Sequence, residues 1–157
     1  MAIRRLNEYK KEVETKTVRL LEVLTNQGVE IARAKVVELD AVDTGDLMSS
    51  ITAYVSPLLN LGVIKVTNDH AVFIEFGTGP IGAASSHPTG MGTYRGNGWY
   101  TKADGKDMFS KYGWTPIELS NGDIIYYTEG QPSKPFMWQT AKELELRVTQ
   151  VAREVFA

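Results

Sequence analysis

Apolar residues recur through residues 3–39 at steps that keep them near one stripe of a helix. Ile3, Leu6, Val13, Leu20, Leu24, Ile31 and Leu39 form the stripe, with Thr17, Gly28 and Lys35 at intervening positions. Charges of both signs fill the other side, among them Arg4, Arg5, Glu8, Lys11, Glu12, Arg19, Glu22 and Arg33. A continuous helix over this span would run about 55 Å at ~1.5 Å per residue. Such a helix needs a surface to lie against, and two readings stand. One is a core helix pair with a break or kink near Asn26-Gln27-Gly28, where glycine costs roughly 1 kcal/mol relative to alanine. The other is a helix whose outer half packs on a neighbouring subunit. A second amphipathic pattern closes the chain: Met137, Ala141, Leu144, Val148, Val151 and Val155 alternate four and three apart. It is expected to start near Pro135, since proline suits a first helical turn.

Between the helices the period changes to two. Ile51, Ala53 and Val55 alternate with Thr52, Tyr54 and Ser56, and Leu61 to Thr67 is a β-branched run. Pro57-Leu58-Leu59-Asn60 separates them, which predicts a hairpin with a loop of about four residues. His70 to Phe76 is apolar and fits either a short helix or a strand. Residues 77–130 differ in kind, holding eleven of the fourteen glycines and eight of the fifteen aromatics. Asp104-Gly105 and Asn121-Gly122 are turn signals within it, the second predicting a hairpin whose two central residues take positive φ. This segment reads as a long insertion with one or two hairpins. Its aromatics point to a contact surface rather than to plain disorder. Trp99, Tyr100, Tyr112, Trp114, Tyr126 and Tyr127 are the candidate interface residues. The expected fold is α+β in a single domain: a long N-terminal helix and a C-terminal helix packed on a small antiparallel sheet. The core comprises 1–78 and 131–157, and 79–130 is the β-hairpin-rich insertion.

Composition narrows the functional classes. A chain of 157 residues is about one domain's worth, and 43% hydrophobic with 23% charged residues is ordinary for a globular protein. The absence of cysteine excludes disulfides, zinc–thiolate sites and thiol nucleophiles, and fits a cytosolic product. Seventeen basic against nineteen acidic residues, a net charge of -2, disfavour a general grip on a phosphate backbone. No apolar run approaches the ~20 residues needed to span a bilayer, and MAIRRLNEYKKEVE lacks the apolar stretch of a secretory signal.

Several motifs suggest chemistry. Asp43-Thr44-Gly45 matches the tripeptide of retroviral-type aspartic proteases, which needs an apolar strand leading into the loop. Here the preceding residues have a helical period, so the alternative is that Asp43 or Thr44 caps the turn Gly45-Asp46-Leu47-Met48-Ser49. Gly77-Thr78-Gly79-Pro80-Ile81-Gly82 has the letters of a dinucleotide fingerprint, but no helical stripe follows, so its glycines are expected to serve a sharp exit from the core. Asp69-His70 with Glu75 could ligate a metal, although no third ligand stands at a convincing spacing, and His70 and His87 read as structural. Glu75, among Phe73, Ile74 and Phe76, reads as a partly buried hydrogen-bond acceptor. Arg95, Lys102, Lys106 and Lys111 interleave with the insertion's aromatics as in single-strand nucleic-acid binders. Asp104, Asp107, Glu118 and Asp123 dilute that charge, which favours protein contact.

Three motifs in order carry a resemblance. Asp43-Thr44-Gly45-Asp46-Leu47-Met48-Ser49-Ser50-Ile51 resembles the "DTG-x-L-x-x-S-I" element of the gene-product-ten-like neck and tail-joining proteins of long-tailed phages. Ala71 to Thr78 resembles that family's "A-x-(Y/F)-(V/I)-E-F-G-T" element, and Pro132 to Ala141 is similar to its "HPF-L-x-P-A" opening of the last helix. Lys134 stands where histidine is usual, and Gln139-Thr140 replaces an expected arginine or proline. The likeness covers about 1–78 and 131–157. It implies a structural virion protein of the neck or tail region, assembled in the host cytoplasm. That protein would be a homo-oligomeric ring between head-connector or head-closure proteins and the tail tube or tail terminator. Genomic DNA would pass through the channel without sequence-specific binding. No enzyme activity, cofactor, metal or membrane is implied; a tail terminator or other minor tail component is the nearest alternative. Under this resemblance Asp43, Thr44 and Gly45 turn the chain from helix to sheet, ahead of Leu47 and Ile51. Glu75, Phe76, Gly77 and Thr78 end an element tightly, and Pro135 and Phe136 start and anchor the last helix. From other classes, an aspartic-type hydrolase and a single-strand binder remain as alternatives.

Overall fold

The structure, a computed structural model, describes residues 2–41, 45–90, 96–102, 109 and 112–157, Ala2 by its backbone alone. It is an α+β fold with a long N-terminal helix, a long C-terminal helix and two small antiparallel sheets. The chain divides into two compact units, residues 1–71 with 136–157, and residues 72–135. The stretches 72–78 and 131–135 therefore cluster with the second unit rather than with the long helices.

In the first unit α1 (Ala2–Glu38) runs unbroken through Gly28. The expected break is absent, and this glycine serves packing. A Cβ there would overlap Ile64 Cδ1 and lie 2.9 Å from Leu144 Cδ1, so two elements close on α1 at this point. The helix stops in a Schellman arrangement: Asp40 adopts φ 50°, Ala41 N–H donates to Val36 O at 2.8 Å, and Asp40 N–H to Val37 O at 3.0 Å. A short α2 (Asp46–Ser49) leads into β1 (Ile51–Ser56), which pairs antiparallel with β2 (Leu61–Val66) from Ile51↔Val66 to Ser56↔Leu61. The hairpin and its four-residue loop fall where the sequence pattern predicts, and Asn60 turns the chain at φ 47°. Ile51 is fully buried while Tyr54 is half exposed, as the alternation demands.

The C-terminal helix spans Phe136–Phe156 and lies antiparallel on α1. Lys35 Nζ meets Glu143 at 3.8 Å near one end, and Lys16 Nζ donates to Ala157 O at 3.4 Å at the other. The predicted seam is partly displaced. Ala141 and Val148 are exposed, whereas Phe136, Thr140 and Val151 are buried. Thr140 is tolerated inside because its hydroxyl donates to Phe136 O at 2.7 Å. Residues 3–12 of α1 are all exposed, Ile3, Leu6 and Tyr9 among them.

The second unit opens within α3 (Ala71–Phe76), so the ambiguous 70–76 stretch is helical. Next comes α4 (Gly79–Ala84), a six-residue helix that the sequence pattern does not predict. It forms because its glycines admit close backbone approach: a Cβ on Gly82 would sit 2.8 Å from the Gly77 carbonyl carbon. β3 (Trp99–Lys102), β4 (Pro116–Glu118) and β5 (Ile124–Thr128) make an antiparallel sheet of order β3-β5-β4. The turn carrying Asn121-Gly122 joins β4 to β5, but only Gly122 has positive φ. Leu119 N–H donates to Asp123 O and Gly122 N–H to Leu119 O, so the loop holds three residues rather than two. With its Gly122 at φ 85°, the loop is that of a turn closed by a left-handed glycine. The Asp104-Gly105 turn lies outside the described residues. The chain then returns to the first unit in the C-terminal helix, α5 (Phe136–Phe156).

Candidate assembly surface

The Glu75-Phe76-Gly77-Thr78 motif forms one side of a backbone clamp in the second unit. Thr78 pairs with Gln131: Thr78 N–H donates to Gln131 O at 2.9 Å, and Gln131 N–H returns to Thr78 O at 3.2 Å. Lys134 N–H donates to Ile74 O at 2.8 Å, Ser133 Oγ to Glu75 O at 2.5 Å, and Ile81 N–H to Glu129 O at 3.1 Å. The approach is close enough to demand glycine on both sides. Gly77 has φ 76°, and a Cβ there would sit 2.7 Å from Ser133 N. At Gly130, with φ 92°, a Cβ would collide with Thr78 O.

Glu75 itself is buried, and its carboxylate meets His87 Nε2 at 3.2 Å. His87 is also buried, its ring 4.6 Å from that of Phe76. Thr89 N–H donates to His87 Nδ1 at 3.2 Å, which makes Nδ1 an acceptor and leaves Nε2 to carry the proton shared with Glu75. Of the residues considered for a metal, His70 is exposed, and Glu75 is engaged by the other histidine. Among the described residues no three His, Asp or Glu side chains converge on a common point.

The aromatic candidates divide by face of the sheet. Tyr100 opposes Tyr127 with ring centroids 5.3 Å apart, and the pair is exposed, Tyr100 to 63%. Register places Ile117 and Ile125 on the same face. Together these side chains make an apolar surface with aromatic anchors, the composition of a protein-contact patch. Trp99 lies on the other face, partly exposed, where a Cβ on Gly79 would meet its ring edge at 3.1 Å. Tyr126 points inward at 6% exposure and is a core residue, because adjacent strand residues cannot share a face. Tyr112 stacks on the half-buried Trp114 at 5.0 Å. Lys102 is tied to Asp123 at 2.7 Å, which holds the Asp123 carboxyl below its ordinary range chiefly through that hydrogen bond. Arg95, Lys106, Lys111, Asp104 and Asp107 lie outside the described residues, so Lys102 is the described member of the proposed basic set, and its charge is paired.

In the first unit Leu47 and Ile51 are buried, and Gly45 holds the cap position of α2 at φ 82°. A side-chain cap from Asp43 or Thr44 cannot be placed, since both lie outside the described residues. What precedes them is helix to Glu38 rather than the strand an aspartic protease requires. Arg33 fastens α1 to α2 and to the start of the hairpin, donating from Nε to Met48 O and from Nη2 to Ile51 O, both at 3.3 Å. A cleft of about 670 Å³ there is lined by Val29, Ile31, Arg33, Ile51 and Arg147, among others. Pro135 immediately precedes α5, and Phe136 is fully buried at its first position.

The partnership of Glu75 with His87 is not predicted from the sequence. The available signal is a charged residue in an apolar run with a histidine twelve residues on, across glycine-rich chain. No helix among the described residues is long and apolar enough to cross a membrane. In comparisons with known proteins, no family model, no curated protein and no solved structure matches the chain.

Proposed function

We propose that this chain is a structural virion protein of a tailed phage. In this reading it is a neck or tail-completion component that joins head connector to tail as a homo-oligomeric ring and has no catalytic role. The observation carrying the reading is the clamp: Glu75 to Thr78 is fixed against Gln131 to Lys134 by reciprocal backbone bonds, with glycine where no side chain fits. That is the tight ending the second motif implies. The third motif supplies the other strap of the clamp and then the buried Phe136. Support for assembly comes from the exposed Tyr100, Tyr127 and Ile117, an apolar face that a lone subunit leaves in water at a cost of about 25 cal/mol per Å². The mildly acidic chain suits a channel through which DNA slides without being held.

The test is light scattering on a sizing column for the wild type and for Tyr100→Ser/Tyr127→Ser. The reading expects a large assembly for the former and its loss in the latter, with an unchanged circular dichroism spectrum. A wild-type assembly whose mass ignores both substitutions removes this sheet face from the interface.

A further inference from the structure

The bonding phase of the β1–β2 hairpin says which backbone groups its open edges present. Thr67 N–H donates to Ser50 O at 3.3 Å, and this pair continues the register beyond Ile51↔Val66. Bonded pairs alternate along an antiparallel ladder, so Thr52, Tyr54 and Ser56 turn their N–H and C=O groups toward β2. Ile51, Ala53 and Val55 turn theirs away. Arg33 agrees with this phase, since its Nη2 reaches Ile51 O from outside the ladder. Among the described residues the outward groups of Ala53 and Val55 have no partner. Edge strands are commonly shielded by charge, proline or a bulge. β1 has none of these along Ile51–Ser56, and its register with β2 is regular throughout.

We propose that β1 pairs antiparallel with β1 of a second copy, about a two-fold axis at Tyr54. In that register Ala53 of each copy exchanges backbone bonds with Val55 of the other. The ends of the strand fix the register. The next outward positions, Ile51 and Pro57, fall opposite each other, and Pro57 has no N–H to donate. Ile51 O, which that leaves without a donor from the other copy, already accepts from Arg33. Side chains on the face away from α1 agree with it. Tyr54 meets Tyr54 in the closer, non-bonded kind of pair, and Thr52 meets Ser56, both favourable combinations across antiparallel strands. Tyr54 is half exposed in the single subunit and is covered in the pair.

Charge does not oppose a second copy. β1 itself carries none. Glu30 and Arg33, which share a cleft with Ile51, Thr52 and Ala53, are paired with each other at 3.3 Å, and Arg147 in that cleft is paired with Glu143. Lys65 lies one strand inward, its Nζ 5.9 Å from the centre of the Tyr54 ring. The Lys65 side chains of the two copies stand about three strand spacings apart, ~14 Å, beyond the ~8 Å screening length of physiological salt. The edge of β2 does not compete. Gly28 of α1 faces Ile64 and Leu144 together, so α5 stands on the β2 side, and a copy added there would drive its α1 into α5. On the β1 side the incoming α1 arrives about two strand spacings away, ~10 Å, a distance at which helices pack. The pair does not rest on the ring reading, because it uses a different sheet from the Tyr100–Tyr127 face.

Sedimentation velocity from ~5 to ~500 µM tests it, in the Tyr100→Ser/Tyr127→Ser background that removes the other sheet face. Mass is expected to rise from 17.4 kDa toward twice that value. Adding Val55→Pro should hold it at 17.4 kDa. The Val55 N–H is not used within the hairpin, so proline blocks the edge and spares the fold, read as an unchanged circular dichroism spectrum. Register is read by disulfide formation, which is clean in a chain without cysteine. Tyr54→Cys should link to itself. Thr52→Cys should link to Ser56→Cys and not to itself. A protein monomeric throughout, a folded Val55→Pro variant that still pairs, or a Tyr54→Cys variant that does not self-link overturns the proposal. If Val55→Pro disturbs the spectrum, the cysteine variants decide. Rings that depend on Tyr100 and Tyr127, with no Tyr54→Cys link, remove the pair and leave the ring reading standing. A Tyr54→Cys link in a protein that never forms rings supports the pair and counts against the ring.

Discussion

Replacing Gly77 with valine places a branched side chain at φ 76°, in a backbone region that costs an L-residue about 1–2 kcal/mol. The first atoms its Cβ meets are backbone: Ser133 N at 2.7 Å, Gln131 O at 3.0 Å and the Pro132 carbonyl carbon at 3.0 Å. Backbone cannot swing aside, so the 131–134 strap must move off the clamp. Three hydrogen bonds are then at risk: Thr78 N–H to Gln131 O, Lys134 N–H to Ile74 O, and Ser133 Oγ to Glu75 O. At about 1 kcal/mol net for each, added to the backbone strain, the total loss is roughly 4–5 kcal/mol. For a chain of this size that lowers Tm by roughly 8–20 °C. The assay is thermal melting followed by circular dichroism and by tryptophan fluorescence, with Trp99 and Trp114 in the second unit. Gly122→Ala is the control. It shares the strain, at φ 85°, but a Cβ there meets nothing within 4 Å, so it should lose only about 1–2 kcal/mol. Equal losses in the two variants would show that backbone strain alone acts at Gly77, and an unchanged melt for Gly77→Val would refute the clamp.

Three further outcomes are expected. Gly28→Ala should be nearly neutral, since helix propensity gains roughly 1 kcal/mol and the atoms met are mobile ends of Ile64 and Leu144, whereas Gly28→Leu should lose about 1–3 kcal/mol in urea titration. A hinge at Gly28 would make both substitutions stiffening and similar. Glu75→Leu, which removes the acceptor of the buried His87 contact, should cost about 1–3 kcal/mol, and Glu75→Gln, which keeps an acceptor oxygen, clearly less; equal melts would show the contact to be incidental. Because Asp123 titrates below its ordinary range, its pairing with Lys102 contributes stability above the unfolded-state value and loses it as pH falls through the folded value. In Lys102→Met the Asp123 carboxyl, followed by NMR, should titrate higher, and no movement would discount the ion pair.

Elements set by local periodicity were legible in the sequence. The hairpin Ile51–Val66 and both long helices follow from steps of two and of three to four, because burial on one face is enough to write them. What periodicity cannot carry is contact between distant segments. Gly28 costs helix propensity locally, yet the helix persists because Ile64 and Leu144 press into the space it leaves. The α5 seam runs through Thr140 rather than Ala141, since a hydroxyl satisfied by its own backbone can be buried where hydrophobicity alone would forbid it. Composition groups Tyr126 with Tyr127, and only strand alternation separates core from surface. The candidate motif Glu75 to Thr78 is visible as letters. Its partner strand and the His87 contact are not, because each joins residues brought together only by folding.

The central claim, a ring-forming neck component, is tested most directly by negative-stain imaging of the purified protein, alone and with a tailed-phage head-connector complex. The account predicts closed rings with an open centre, formed either spontaneously or on the connector. Particles that stay small and ringless in both preparations would contradict it.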